Sequence, residues 1–159
     1  MSVVLSAREI FSMALEVEKS GRAYYQTVVN QAPSQDLKEF FTYLADQEQV
    51  HYGFFKSLND EIEDFSIDQE DWEQISEYIR ASTETRFFIG EEKAISFARQ
   101  AKDMIQAIDF ALGFEKDTLL FFYELLNVTP PRSKTAVQKI VDEEKRHIKL
   151  LAEKRKTLQ

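Results

Sequence analysis

The sequence predicts an all-α fold, a four-helix bundle of two antiparallel helix hairpins joined by a long crossover. Three observations carry that expectation. Only four glycines and three prolines occur in 159 residues, too few for a turn-rich sandwich or barrel. Four long segments repeat apolar residues at three- and four-residue spacing, the period of a helix with one buried face. Pro33 and the pair Pro130-Pro131 interrupt the pattern where two of those segments end.

The first helix is read over residues 6–31, opened by the capping-box pattern Ser6-Ala7-Arg8-Glu9 and stopped by Pro33. Its stripe is Phe11, Ala14, Leu15, Glu18, Gly21, Tyr25 and Val28. Ser34 can cap a second helix over residues 34–58, with Phe40, Phe41, Leu44, Ala45, Tyr52, Phe55 and Leu58 on one face. Residues 59–102 carry a weaker signal: an acidic run, then short amphipathic pieces around Trp72–Ile79 and Glu91–Ala101. They are read as a crossover containing short helical segments. Asp103 can cap a third helix over residues 103–127, and a fourth is expected over residues 133–156, where Lys154, Arg155 and Lys156 suit the negative end of a helix dipole. Short first and last connections make each pair a hairpin. The long link is expected to carry the chain back along the bundle, so that the third helix starts at the end where the first began.

All of this fits one domain spanning residues 1–159. A net charge of −8 and a pI near 4.9 repel nucleic acid and anionic membrane surfaces, so neither is an expected partner. The absence of cysteine excludes disulfides, thiol nucleophiles and iron bound by thiolates within this sequence. No leader-like pattern or membrane-length apolar run stands out, and the cytoplasm is the expected location.

The chemistry is carried by two histidines. Each stands three residues after a glutamate: Glu48-Gln49-Val50-His51 in the second helix and Glu144-Lys145-Arg146-His147 in the fourth. Residues i and i+3 share a helix face, and here that face is otherwise apolar. Glu18 interrupts the stripe of the first helix in the same way, and Glu115 interrupts Ile108, Ala111, Leu112, Leu119, Phe122 and Leu126 in the third. A lone Glu-x-x-His is more often a hydrogen-bonded pair than a ligand set. Four helices that each point a carboxylate into the core are a different matter. The spacing from Glu18 to Glu48 nearly equals that from Glu115 to Glu144, so the hairpins read as two copies of one half-site. Buried together, four carboxylates would repel one another and cost several kcal/mol each. Two divalent cations would cancel them, and a mostly oxygen donor set with two imidazoles suits iron or manganese better than copper or structural zinc.

In these residues the sequence resembles the ferritin-like di-iron carboxylate superfamily, which places a Glu on each of two helices and Glu-x-x-His on the other two. By that resemblance Glu18 and His51 would ligate one metal, Glu115 and His147 the other, and Glu48 and Glu144 would bridge. Two iron ions per chain are implied, with manganese possible. Tyr25, seven residues after Glu18 as in rubrerythrins and bacterioferritins, would hydrogen-bond a ligand carboxylate. The further glutamate that rubrerythrins carry three residues after the third-helix ligand is Thr118 here, which implies a six-ligand site. Gln49 stands where bacterioferritins have a haem methionine, so no haem is expected. The likeness is closest to stand-alone rubrerythrin-like proteins lacking a rubredoxin domain.

The activity so implied is reduction of hydrogen peroxide or dioxygen with oxidation of Fe(II). Electrons would come from a separate redox protein, and a homodimer is expected. An iron-binding or storage protein with ferroxidase activity is the alternative, and a metal-stabilised bundle without turnover is a further one. Glu16, Glu124 and Glu143 fall beside or off the ligand stripe and read as solvated or packed at a dimer surface, with Glu143 also able to orient a ligand histidine. Tyr123 is one position off the register held by Phe122. Trp72 and Phe87-Phe88 read as anchors for the crossover.

Overall fold

A computed structural model describes residues 7–61, 73–74, 77 and 90–159. Five helices account for nearly all of them: α1 Ala7–Gln31, α2 Gln35–Glu61, α3 Glu91–Gln100, α4 Met104–Val128 and α5 Pro131–Thr157. No strand occurs among the described residues. Ser6, Trp72, Phe87 and Phe88 lie outside them.

Local chemistry sets the ends of the helices. Ser34 accepts the Leu37 amide on its hydroxyl at 3.3 Å, and Asp103 accepts the Gln106 amide at 2.8 Å, each satisfying a donor that has no partner inside its helix. Pro131 does more than interrupt the pattern. It occupies the first turn of α5, where its missing amide costs nothing and its fixed φ suits the helix, so α5 starts before residue 133. The last turn of α2 likewise continues past Leu58 to Glu61.

Contacts along the helices fix the topology. Asn59 near the end of α2 reaches Ser12 near the start of α1, while Arg22 donates to Gln49 at 2.5 Å, so α1 and α2 run antiparallel. On the α2–α5 side, Asp36 meets Lys154 at 2.9 Å and Tyr43 accepts from Arg146 at 2.8 Å. Asp109 takes two hydrogen bonds from Arg155, and Lys145 lies over the Tyr123 ring, so α4 and α5 also run antiparallel. Tyr123, partly exposed under that ammonium, belongs to the surface.

The start of the third bundle helix corrects the expectation from sequence. The Tyr24 hydroxyl, late in α1, donates to the Ala107 carbonyl, early in α4. The chain therefore enters α4 beside the end of α1, not its beginning. The reason is geometric: α2 finishes next to the start of α1, so a link that travels back along the bundle must arrive at the opposite end.

The helix α3 lies on that return path. Ala94 and Ala98 are fully buried, Phe97 packs edge-on against Phe110, and the Gly90 amide donates to the buried Ser20 hydroxyl at 2.9 Å. Gly90 has φ 128°, a conformation that other residues rarely adopt, which suits it to the turn ahead of α3. Ser20 also donates to the Glu16 carbonyl, so its hydroxyl ties α3 to α1 with both capacities used. Among the described residues no helix is long and apolar enough to cross a membrane.

Removing the Ser20 hydroxyl leaves the Gly90 amide unsatisfied in a partly buried place. Ser20→Ala is expected to lower unfolding free energy by about 1 kcal/mol in urea denaturation and to speed amide exchange across Glu91–Gln100. Unchanged exchange there would show that α3 is held by its alanine face alone.

Candidate metal centre

Glu18, Glu48, His51, Glu115, Glu144 and His147 are each at most 1% exposed, although each carries an ionisable group. The helical period puts them in one layer: Glu18 falls between Ala14 and Tyr25 on α1, Glu115 between Ala111 and Phe122 on α4, and the two Glu-x-x-His pairs face inward from α2 and α5. The two imidazoles stack with centroids 5.6 Å apart and 18° between planes.

The side chains form two overlapping quartets. In Glu18, Glu48, His51 and Glu144, one nitrogen or carboxylate oxygen from each residue lies within 4.8 Å of the others, and the same holds for Glu48, Glu115, Glu144 and His147. Glu48 and Glu144 belong to both. Each histidine turns Nδ1 to the centre: that of His51 lies 2.9 Å from Glu144 Oε1, and that of His147 lies 3.0 Å from Glu144 Oε2.

These groups are poorly satisfied by one another. Both oxygens of Glu18 and of Glu48, one oxygen each of Glu115 and Glu144, and Nδ1 of His51 are buried without a hydrogen bond of acceptable geometry. Buried acceptors are seldom left so. Oxygen-rich orphans that converge in this way are a donor set able to hold divalent cations.

Supporting contacts surround the layer. The Tyr25 hydroxyl donates to Glu115 Oε1, and the Tyr25 ring stacks on Phe41 at 6.2 Å. Glu143, partly exposed on α5, bonds His51 Nε2 through Oε2 at 2.6 Å. Sequence position alone leaves Glu143 off the ligand stripe, because the contact needs the register between α2 and α5. Glu16 is exposed and Glu124 half-buried, and neither is among the clustered donors. Thr118 is fully buried and its hydroxyl has no partner. Gly21 offers no donor atom but makes room for the Glu48 carboxylate: a Cβ there would lie 2.9 Å from Glu48 Oε2 and 3.0 Å from Phe114 Cε1.

Burial first, then the charges of the neighbouring carboxylates, holds Glu18, Glu48 and Glu115 well above the usual carboxylate range. Burial also opposes ionisation of Glu144, but its contacts with His147 and His51 outweigh that and hold it low. For His51, burial opposes the charged form, while Glu144, Glu48 and Glu143 more than offset it and lift the imidazole to about 9. Burial and the charge of Glu115 push the Tyr25 phenol up, so it stays a donor.

The family model described as rubrerythrin matches residues 9–154. The chain belongs to the rubrerythrin family. A crystal structure of a candidate ferritin-like diiron-carboxylate protein from Thermotoga maritima has a similar fold, with a TM-score of 0.74 at 20% identity over 100% of both chains. No curated protein matches significantly. This rubrerythrin-family chain thus has an all-helical bundle of ferritin-like fold, with Glu and His groups that can hold metal ions.

Two outcomes test the geometry. Gly21→Ala should gain about 1 kcal/mol of helix propensity while displacing the Glu48 carboxylate, so urea stability is retained but metal uptake, read by titration, weakens about tenfold. Unaltered uptake would mean that Glu48 adjusts freely. In metal-free protein, charged His51 stabilises the fold below its ordinary value of 6.5, and that contribution is lost as pH rises through about 9. The three raised carboxyls act in the same sense, favouring the fold while protonated, whereas Glu144, held low, loses its contribution progressively as pH falls below the ordinary carboxylate range. The thermal midpoint in chelator is therefore expected to fall between pH 6.5 and about 9. A flat or rising midpoint would contradict these shifts.

Proposed function

We propose that this chain is a di-iron carboxylate oxidoreductase that reduces hydrogen peroxide or dioxygen. The observation that carries the reading is the overlap of the two quartets through Glu48 and Glu144. In the proposed site Glu18 and His51 would hold one ion and Glu115 and His147 the other, with Glu48 and Glu144 shared between them. Two iron ions so held would supply two electrons, and peroxide, taking up those electrons and two protons, leaves as two waters.

The protein's own part is placement and exclusion of water. Tyr25 fixes Glu115 by its hydroxyl, and Glu143 fixes the ring of His51. Phe55 and Phe122, with centroids 5.1 Å apart, wall the layer with apolar surface. A cavity of about 310 Å³ between α1 and α2, lined in part by Lys19, Arg22, Gln49 and Tyr52, reaches Glu18 and offers a route for a molecule the size of peroxide. Electrons would be delivered by a redox protein outside this sequence, which has no cysteine to hold an iron centre of its own.

Anaerobic loading with Fe(II) followed by elemental analysis is the direct test. About two ions per chain are expected, with loss in the Glu48→Ala/Glu144→Ala double variant and rapid oxidation of the loaded protein by peroxide. Uptake without peroxide-driven oxidation would point to a metal-stabilised bundle. Many irons per chain in a cage-sized assembly would point to storage.

A further inference from the structure

The repeat of the hairpin allows each half of the centre to be compared with the other, residue by residue. Gln47-Glu48 and His51 in α2 correspond to Glu143-Glu144 and His147 in α5. Tyr25, seven residues after Glu18, corresponds to Phe122, seven residues after Glu115. The candidate ligands are the same in both halves. The residues behind them differ.

The first difference concerns the histidines. His51 Nε2 is bonded by the Glu143 carboxylate at 2.6 Å. His147 Nε2 is buried with no hydrogen-bond partner, and the residue corresponding to Glu143 is Gln47, a neutral amide. A carboxylate on the far nitrogen fixes the ring and makes the near nitrogen a stronger donor. The second difference concerns the terminal carboxylates. Tyr25 donates to Glu115 and draws charge from it, whereas both oxygens of Glu18 lack a hydrogen-bond donor and the corresponding Phe122 has no hydroxyl to offer. Both differences act in the same direction: Glu18 and His51 form the richer donor pair.

We propose that the two cation positions are unequal, the one served by Glu18 and His51 taking a divalent ion first and holding it more tightly, with Glu143 as a positioning residue acting through His51. This rests on the di-metal reading above. The ligand class is a hard or borderline divalent cation such as Fe(II), Mn(II) or the spectroscopic probe Co(II).

The test is anaerobic titration of metal-free protein with Co(II), followed by visible absorption and calorimetry. The expected result for the wild type is two steps whose dissociation constants differ by about tenfold or more. Glu143→Ala is expected to weaken the tighter step about 10- to 100-fold and leave the weaker one nearly unchanged, with Glu143→Gln in between because an amide oxygen still accepts the bond without the charge. Gln47→Glu, made in the wild type and so independent of whether the alanine variant folds, is expected to tighten the weaker step and narrow the gap. Two equal steps in the wild type, or equal weakening of both by Glu143→Ala in a folded protein, would overturn the inequality and leave the di-metal reading intact. No uptake of Co(II) or Fe(II) would overturn both.

Discussion

Four carboxylates in one buried layer, opposed by two imidazoles, are the constraint around which this bundle is built. Each such group is costly to remove from water, and the cost grows when neighbours of like charge share the site. Apart from the Tyr25 hydroxyl on Glu115, the fold does not meet it by hydrogen-bonding the carboxylates to backbone or hydroxyl donors. Most of their oxygens are left open toward one another. The apolar layers on either side must hold the helices in place regardless: Tyr25 against Phe41 on one side, Phe55 against Phe122 on the other. Two divalent cations in the layer, as proposed, would turn the main source of strain into the main cross-link, because each quartet draws on three helices.

Ion pairs near the bundle ends hold the antiparallel neighbours of this layer in place. Asp36 with Lys154 and Asp109 with Arg155 tie helices where the core is apolar and the surface is wet. Exposed pairs contribute little stability individually, but they fix register, and register decides whether Glu143 meets His51. Backing of α1 by α3 matters for a similar reason. The helix α1 carries Glu18, Gly21 and Tyr25, and a second covered face limits its freedom to shift relative to α2 and α4.

All six clustered donors could be named from the sequence because an ionisable residue in an apolar stripe is a local anomaly, visible without knowing what lies opposite. The helix ends followed from capping residues and prolines, with two shifts: Pro131 is both breaker of one helix and first residue of the next, and the last turn of α2 runs on to Glu61. What escaped was whatever depends on partners distant in sequence. Ile10, Val17, Ser20 and Tyr24 are all buried beside the main stripe of α1, a second covered face that a single-stripe reading misses; at Ser20 the cover comes from the turn into α3, and Tyr24 reaches Ala107 of α4. The entry point of α4 was misread for another reason: an antiparallel first hairpin already requires a returning link to arrive beside the end of α1, and the Tyr24 contact with Ala107 shows that it does. Gly21 could have been recognised as a close approach, but not what approaches it: the Glu48 carboxylate comes from another helix.

Internal repetition explains both the symmetry of the candidate ligands and the freedom of the residues behind them to differ. A ligand position is constrained by charge, reach and helix face together, so corresponding positions in the two hairpins hold the same residue type. A residue one layer out is constrained only by what it touches, and that differs because α3 covers α1 while α4 has its own neighbours. Gly21, three residues after Glu18, yields its space to the Glu48 carboxylate and Phe114. Its counterpart, three residues after Glu115, is Thr118, fully buried with an unpartnered hydroxyl. One hairpin therefore admits a neighbouring carboxylate where the other places a methyl and a polar atom of its own. Two quartets that share Glu48 and Glu144 cannot relax independently, so a packing difference of this kind reaches the donor atoms and makes identical candidate residues compatible with two unequal positions.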